Sequence, residues 1–168
     1  MAPAPSAETD DGPGRAPFAP RTLFVDGSVA AFVLTGLYAL LYAVPLPPFG
    51  VPGYLLVVAF DRLEQALPGA GSAAAYDAGF AAFLAALAVV AAFGASWARS
   101  RGAVAGRSVA AGAAVSVVGA VGAALSVGVF LPFAAGDYAP LLLVSATSVA
   151  LLFGGRYLAV GRFGRRPA

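Results

Sequence analysis

The chain has 168 residues, of which 60% are hydrophobic and 11% are charged. A soluble domain of this size carries about 25% charged residues to keep its surface hydrated, so the composition excludes a free-standing soluble enzyme. Cys and His are both absent, which removes the usual ligands of zinc, copper, haem and iron–sulfur clusters. We therefore expect no metal site, no cofactor and no thiol redox chemistry.

Four stretches contain no charged residue: 27–60, 78–98, 108–136 and 138–155. Each is near or above the length of about 20 apolar residues that an α-helix needs to cross the hydrocarbon layer. The sequence therefore predicts an all-α polytopic membrane protein, a four-transmembrane-helix bundle. The predicted spans are about 24–44, 78–98, 108–130 and 140–160.

The ends of the chain differ from this membrane domain. Residues 1–22 are rich in Pro, Ala, Gly and acidic residues and have no apolar run, which predicts a disordered tail. Residues 161–168 form a short basic tail, and residues 23–160 form the membrane domain. Asp26 or Ser28 is expected to cap the first span, Pro45 to end it, and Asp77 to lie beside the start of the second.

A fifth apolar segment, about 53–67, has a shorter charge-free run than a membrane span requires. Its run from Val51 to Phe60 has no charge, and Asp61, Arg62 and Glu64 follow. Leu56, Phe60, Leu63 and Leu67 fall on one helical face, so the segment is predicted to be an interfacial or re-entrant amphipathic helix.

The arginines predict the orientation, because basic residues near span ends stay on the cytoplasmic side. With four spans and a cytoplasmic N-terminus, Arg62 is outside, and all the other arginines are inside: Arg15, Arg21, Arg99, Arg101, Arg107, Arg156, Arg162, Arg165 and Arg166. A fifth span would destroy this bias. We expect a multi-pass protein of the cell membrane with both termini in the cytoplasm.

Small residues recur every three or four positions, a spacing that lets helices approach closely in lipid. The third span has the most specific pattern, because it contains Gly and Ser as well as Ala. The predicted seams are Ala31, Thr35, Ala39 and Ala43; Ala78, Ala81, Ala85, Ala88, Ala92 and Ala95; Gly112, Ser116, Gly119, Ala123 and Ser126; and Ala146, Ala150 and Gly154. These predict a compact bundle or a homo-oligomer.

Asp26 and Arg156 are the ionisable residues that the predicted spans contain. Counted from the opposite ends of their spans, both lie about 23–27 Å deep at 1.5 Å per residue. An Asp26–Arg156 ion pair is one structural explanation. The other is that Asp26 caps its helix and Arg156 extends to the headgroups.

The remaining polar residues offer little chemistry, and no catalytic residue is assigned. The possible exterior groups are Asp61, Arg62, Glu64, Asp77, Asp137 and the hydroxyl of Ser72. Without His or Lys, nothing obvious would activate Ser72. A hydroxyl-lined path is conceivable through Thr35, Ser116, Ser126, Ser145, Thr147 and Ser148, although such hydroxyls more often bond within their own helix.

The sequence thus favours a small integral membrane protein with a structural, accessory or partner-binding role and no catalysis of its own. Its expected partners are membrane lipid and a second copy or another membrane subunit, with no nucleic acid. The amphipathic segment near 54–67 is the expected contact surface. The alternative is a small oligomeric transporter or channel that uses the hydroxyl-lined path.

Overall fold

A computed structural model describes residues 18–44, 47–66, 72–101, 108–132 and 138–160. The elements in these ranges are all helical: α1 Pro20–Ala43, α2 Pro47–Ala66, α3 Ala73–Ser100, α4 Ser108–Leu125 and α5 Ala139–Val160. A π-helical segment, Ser126–Phe130, extends α4 by about one turn. The basic tail 161–168, Asp137 and Leu67 lie outside the described residues, as does most of the predicted tail 1–22.

Four of the helices are long and apolar enough to cross a membrane: α1, α3, α4 with its π-helical extension, and α5. The predicted four-span all-α fold is therefore confirmed. The predicted bounds were close at most ends, but α1 begins at Pro20, inside the segment predicted to be disordered. Proline is favoured at the first position of a helix, because the backbone N–H that it lacks would have no partner within the helix there.

The four spans alternate in direction. The side chains of Asp26 near the start of α1 and Arg99 near the end of α3 are bonded to each other, and the rings of Tyr38 and Phe80 meet farther along. A hypothetical Cβ on Gly112, near the start of α4, would lie against Ala159, near the end of α5. We call the end of the bundle that holds Asp26 and Arg99 the ion-pair end.

The opposite end of the bundle holds helix α2, and we call it the α2 end. Since α1 finishes there and α3 starts there, α2 enters and leaves at the same end and does not cross the bundle. A Cβ added to Gly122 of α4 would lie against the Leu55 side chain of α2. Gly122 is about 12 Å along α4 from Phe130. Helix α2 thus packs into the bundle from one end, and it begins earlier than the predicted 53–67.

Helix α4 is the centre of the bundle, because it contacts all the other helices. The buried share of its most apolar stretch is 39%, against 17% for α1 and for α5. Its many Ala and Gly residues leave room for neighbours on several sides, as close packing in lipid requires.

The predicted small-residue seams of the second and third spans were partly correct. In α4, Gly112, Gly119 and Ser126 are buried as expected. In α3 only Ala88, Ala92 and Ala95 of the predicted row are buried, whereas its other members are exposed: Ala78, Ala81 and Ala85.

The seams predicted for the first and fourth spans were wrong. The exposed members are Thr35, Ala39, Ala43, Ala146 and Ala150. The buried rows are instead Asp26, Ala30 and Leu34 in α1, and Val144, Ser148 and Gly155 in α5. Both buried rows mix large and small side chains, so residue size alone did not identify the packed face.

Candidate functional site

The ion pair between α1 and α3 is the most buried charged feature of the described residues. The guanidinium of Arg99 donates two parallel hydrogen bonds, Nη1 to Oδ2 and Nη2 to Oδ1 of Asp26, each 2.6 Å long. The Asp26 side chain is 5% exposed and that of Arg99 is 18% exposed. This forked geometry compensates for the loss of water around both charges.

The helices position the pair through small residues. Asp26 begins the buried row of α1, one turn before Ala30. A Cβ added to Gly27 would lie 4.0 Å from the Cβ of Ala92 in α3, so the two helices lie close together there. That proximity brings the short Asp26 side chain within reach of Arg99, two turns beyond Ala92.

The predicted partner and role of Asp26 were both wrong. Arg156 is exposed and lies on α5, which packs mainly on α4. The N-cap of α1 is Ala19, and no side chain caps that helix. Ser28 donates its hydroxyl to the carbonyl of Phe24, one turn back in the helix, so it is not a cap either.

Ser96 lies one turn from Arg99 on α3 and is fully buried. Its hydroxyl has no hydrogen-bond partner among the described residues. An unsatisfied buried hydroxyl costs about 1–3 kcal/mol. The carboxylate of Asp26 and the guanidinium of Arg99 are bonded to each other.

The catalytic candidates predicted on the exterior are partly used in the fold and partly exposed, and Asp137 lies outside the described residues. Ser72 is the N-cap of α3, accepting a hydrogen bond from the amide of Ala75 at 3.3 Å. Asp61 accepts a 2.7 Å hydrogen bond from the hydroxyl of Tyr76. Arg62 and Asp77 are exposed and Glu64 is partly exposed, and no group of acidic residues in the described ranges could hold a metal ion.

The Asp61–Tyr76 bond belongs to a contact that fixes α2 against α3. The Phe60 ring lies 5.0 Å from that of Tyr76, 5.4 Å from Phe80 and 5.7 Å from Phe83, measured between centroids. Tyr38 of α1 extends the group, 4.9 Å from Phe80. The apolar face of α2 is thus used inside the protein, where Leu55, Leu56 and Phe60 are buried.

Two hydroxyls of the predicted polar path are bonded within their own helices, and a third is exposed. Ser126 donates to the carbonyl of Gly122 at 2.9 Å, and Ser148 donates to that of Val144 at 2.7 Å. Thr35 lies on an exposed face of α1. The other three members are partly buried: Ser116, Ser145 and Thr147.

Ser116 and Ser148 lie where α4 and α5 are packed backbone against backbone. We call this interface the glycine seam and define it by Gly112, Gly119, Gly122 and Gly155. A Cβ on Gly119 would lie 2.9 Å from the Leu152 nitrogen and the Ser148 carbonyl oxygen, and one on Gly155 would lie 2.5 Å from the Gly112 carbonyl oxygen. Real Cβ atoms do not approach so closely, so the seam has no room for a solute.

Sequence reasoning missed Arg99, which it assigned only to a cytoplasmic loop. A signal was present, since the predicted row of small residues in α3 ends at Ala95, and one further turn leads to Arg99. It also missed Gly155 and Gly122, which lie beside the predicted rows.

Comparison with known proteins identifies no relative: no family model matches the chain, and neither a curated protein nor a solved structure matches it.

Proposed function

We propose that this chain is a small integral membrane protein with a structural, accessory or partner-binding role and no catalysis of its own. The observation that carries this proposal is that three of the four buried polar side chains in the described residues serve the fold, with Ser96 as the exception. Asp26 is bonded to Arg99, and the buried hydroxyls of Ser126 and Ser148 are bonded to their own helices. A transporter needs polar groups that can exchange partners with a substrate, whereas these groups are already paired.

The glycine seam gives independent support against the rival function, a small oligomeric transporter or channel. Ser116 and Ser148 would have to line its path, yet they lie at an interface too close for even one extra Cβ. A path there would require α4 and α5 to separate and lose the contacts that hold them together.

The outer faces of α3 and α5 are the surfaces that a partner subunit would contact. Phe153 is 70% exposed, and other large apolar residues of α5 are also exposed: Leu142, Leu143, Val149, Tyr157 and Leu158. The surface predicted on α2 is smaller than expected, since Leu56 and Phe60 are internal and Phe49, Tyr54 and Leu63 remain exposed.

Two measurements on the full-length chain test the role. In the first, purified protein is reconstituted into vesicles that enclose fluorescent reporters of ions and small solutes. We expect leakage equal to that of protein-free vesicles. Protein-dependent flux that Ser148→Ala abolishes, while Thr35→Ala does not, would contradict the proposal and support the channel.

In the second measurement, a photo-crosslinking amino acid replaces Val149 on the exposed face of α5, with Ser148 on the buried face as the matched control. We expect a discrete crosslinked protein of fixed mass from position 149 in native membranes and none from position 148. Crosslinks to lipid alone from exposed positions on both α3 and α5 would argue against a partner subunit.

The same proposal places the protein in the cell membrane with both termini in the cytoplasm. Arg21, Arg99, Arg101 and Arg156 lie at the ion-pair end, whereas Arg62 lies at the α2 end. This distribution supports a cytoplasmic ion-pair end by the positive-inside rule.

The natural absence of cysteine allows a direct test of sidedness. Single cysteines replace Gln65 at the α2 end and Ser100 at the ion-pair end, both of which are exposed. A membrane-impermeant maleimide added to intact cells should label Gln65→Cys and leave Ser100→Cys unlabelled until the cells are opened. The reverse pattern would overturn the orientation.

A further inference from the structure

Exposed arginines at the ion-pair end are each accompanied by an exposed aromatic residue about one turn deeper in the bundle. Phe24 follows Arg21 in α1, Trp97 precedes Arg101 in α3, and Phe153 precedes Arg156 in α5. The three aromatic residues are 77%, 54% and 70% exposed, respectively. In a membrane, this order places an apolar ring in the acyl region and a guanidinium at headgroup depth.

The pair on α3 has a defined geometry. The guanidinium carbon of Arg101 lies 3.7 Å from the centroid of the Trp97 ring, a cation–π contact. The stacked ring restrains the guanidinium and leaves its N–H donors free to bind a planar or tetrahedral oxyanion.

The charge balance at this end favours an anion. Asp26 is the one carboxylate that the described residues place there, and Arg99 neutralises it. The other described carboxylates lie at the α2 end: Asp61, Glu64 and Asp77. Arg21, Arg101 and Arg156 are therefore left without an acidic partner of their own among the described residues.

We propose that the Arg101–Trp97 pair binds the headgroup of an anionic phospholipid, and that the pairs on α1 and α5 extend this preference around the ion-pair end. Arg101 donates hydrogen bonds to the phosphate or another anionic headgroup oxygen. Trp97 packs against the glycerol and upper acyl chain. The occupant is a bilayer lipid, because the aromatic partner of each arginine lies on the side of the hydrocarbon. This inference does not depend on the proposed accessory role.

Trp97 is the one tryptophan of the chain, so its fluorescence reports on this site without labelling. The full chain is reconstituted into bilayers that contain a small fraction of either brominated phosphatidylglycerol or brominated phosphatidylcholine. Bromine quenches tryptophan on contact. We expect phosphatidylglycerol to bind beside Trp97 about fivefold more strongly, the preference that one arginine near an anionic surface confers.

Two substitutions localise the effect. Arg101→Gln should reduce the preference to about that of a neutral site, while Arg62→Gln, an exposed arginine at the α2 end, should leave it unchanged. Each variant is compared between the two lipids, so a change in tryptophan brightness alone cancels. On the unmodified protein, high salt should weaken the preference, because it screens exposed charges.

Equal quenching by the two lipids in the unmodified protein would overturn the proposal. So would a preference that survives Arg101→Gln and high salt. Soluble glycerol phosphate should not reverse the quenching; if it does, the site recognises a free phosphate and the assignment to a lipid is wrong.

Discussion

The α4–α5 interface and the α1–α3 interface hold their helices together by different means. Between α4 and α5, glycines let the backbones touch, and no charged pair is needed. Between α1 and α3, small residues bring the helices close at the ion-pair end, where Asp26 and Arg99 join them, while aromatic rings fill the gap at the α2 end. Hydrophobic burial does not drive association in lipid, so each interface depends on contacts made at short range.

This difference predicts different sensitivities. The glycine seam should lose stability when a single methyl group is added. The α1–α3 interface should lose stability when one partner of a polar contact is removed. The substitutions below separate these two modes, beginning with the largest expected effect.

Gly155→Ala should destabilise the protein by about 3 kcal/mol, the upper end of the usual cost of overpacking. The added methyl group would meet the backbone of Gly112 and Ser116, neither of which can rotate away. The measurement is the midpoint of thermal unfolding in detergent, followed by size-exclusion fluorescence.

Gly154→Ala is the matched control, since it is the same change at the preceding residue, where a Cβ would have nothing within 4 Å. It should leave the midpoint unchanged or raise it slightly, because alanine is the better helix former. Equal effects at 154 and 155 would show that helix propensity, and not close packing, determines the response.

Asp26→Ala should cost about 2 kcal/mol, less than for a fully buried pair, because Arg99 is 18% exposed and can extend toward the headgroups. Arg99→Gln should cost a similar amount. The double variant should be milder than the sum of the single changes, as expected for two residues that act on each other.

The control for this cycle is Asp26→Ala combined with Arg156→Gln. Arg156 is exposed and is not the partner of Asp26, so its effect should be small and additive. Coupling of Asp26 to Arg156, with none to Arg99, would contradict the Asp26–Arg99 pair and support the pairing expected from the sequence.

Tyr76→Phe should have the smallest effect, about 1 kcal/mol or less, as is typical of hydrogen bonds between helices in membranes. It removes the 2.7 Å bond to Asp61 and keeps the ring contact with Phe60. Hydrogen exchange should rise at the end of α2 and stay constant in α4.

Tyr138→Phe serves as the comparison, because Tyr138 is 61% exposed. If both tyrosine changes leave α2 exchange unchanged, the aromatic group alone fixes α2 against α3. The α1–α3 side of the bundle would then resemble the glycine seam more closely, with shape and not polarity holding it.

Much of the architecture could be predicted because it depends on the solvent. A charge-free stretch of about 20 apolar residues is most stable as a helix that crosses the bilayer. The four spans and their approximate bounds could therefore be predicted. The end of α1 was also predictable: Val44 is extended before Pro45, as a residue preceding proline prefers. Ser72 could have been identified as a cap, since α3 starts directly after it.

The candidate site was less predictable. Residue size suggested a packed face on each helix, yet Thr35 and Ala39 are exposed while Leu34 is buried. In lipid, exposed and buried faces are equally apolar, so the polarity difference that reveals the packed face of a soluble helix is missing. Asp26 was correctly singled out, but a partner cannot be chosen from depth alone.

The sequence by itself determined that this is a multi-pass membrane protein with four helices long and apolar enough to span. These properties follow from the free-energy cost of placing charges and unbonded backbone groups in hydrocarbon. That cost depends on each segment by itself. The tertiary structure decided that α4 is central, that Asp26 bonds to Arg99 and not to Arg156, and that α2 turns its apolar face inward. Those outcomes depend on which backbones can approach within a few ångströms, a property of pairs of helices that no single segment encodes.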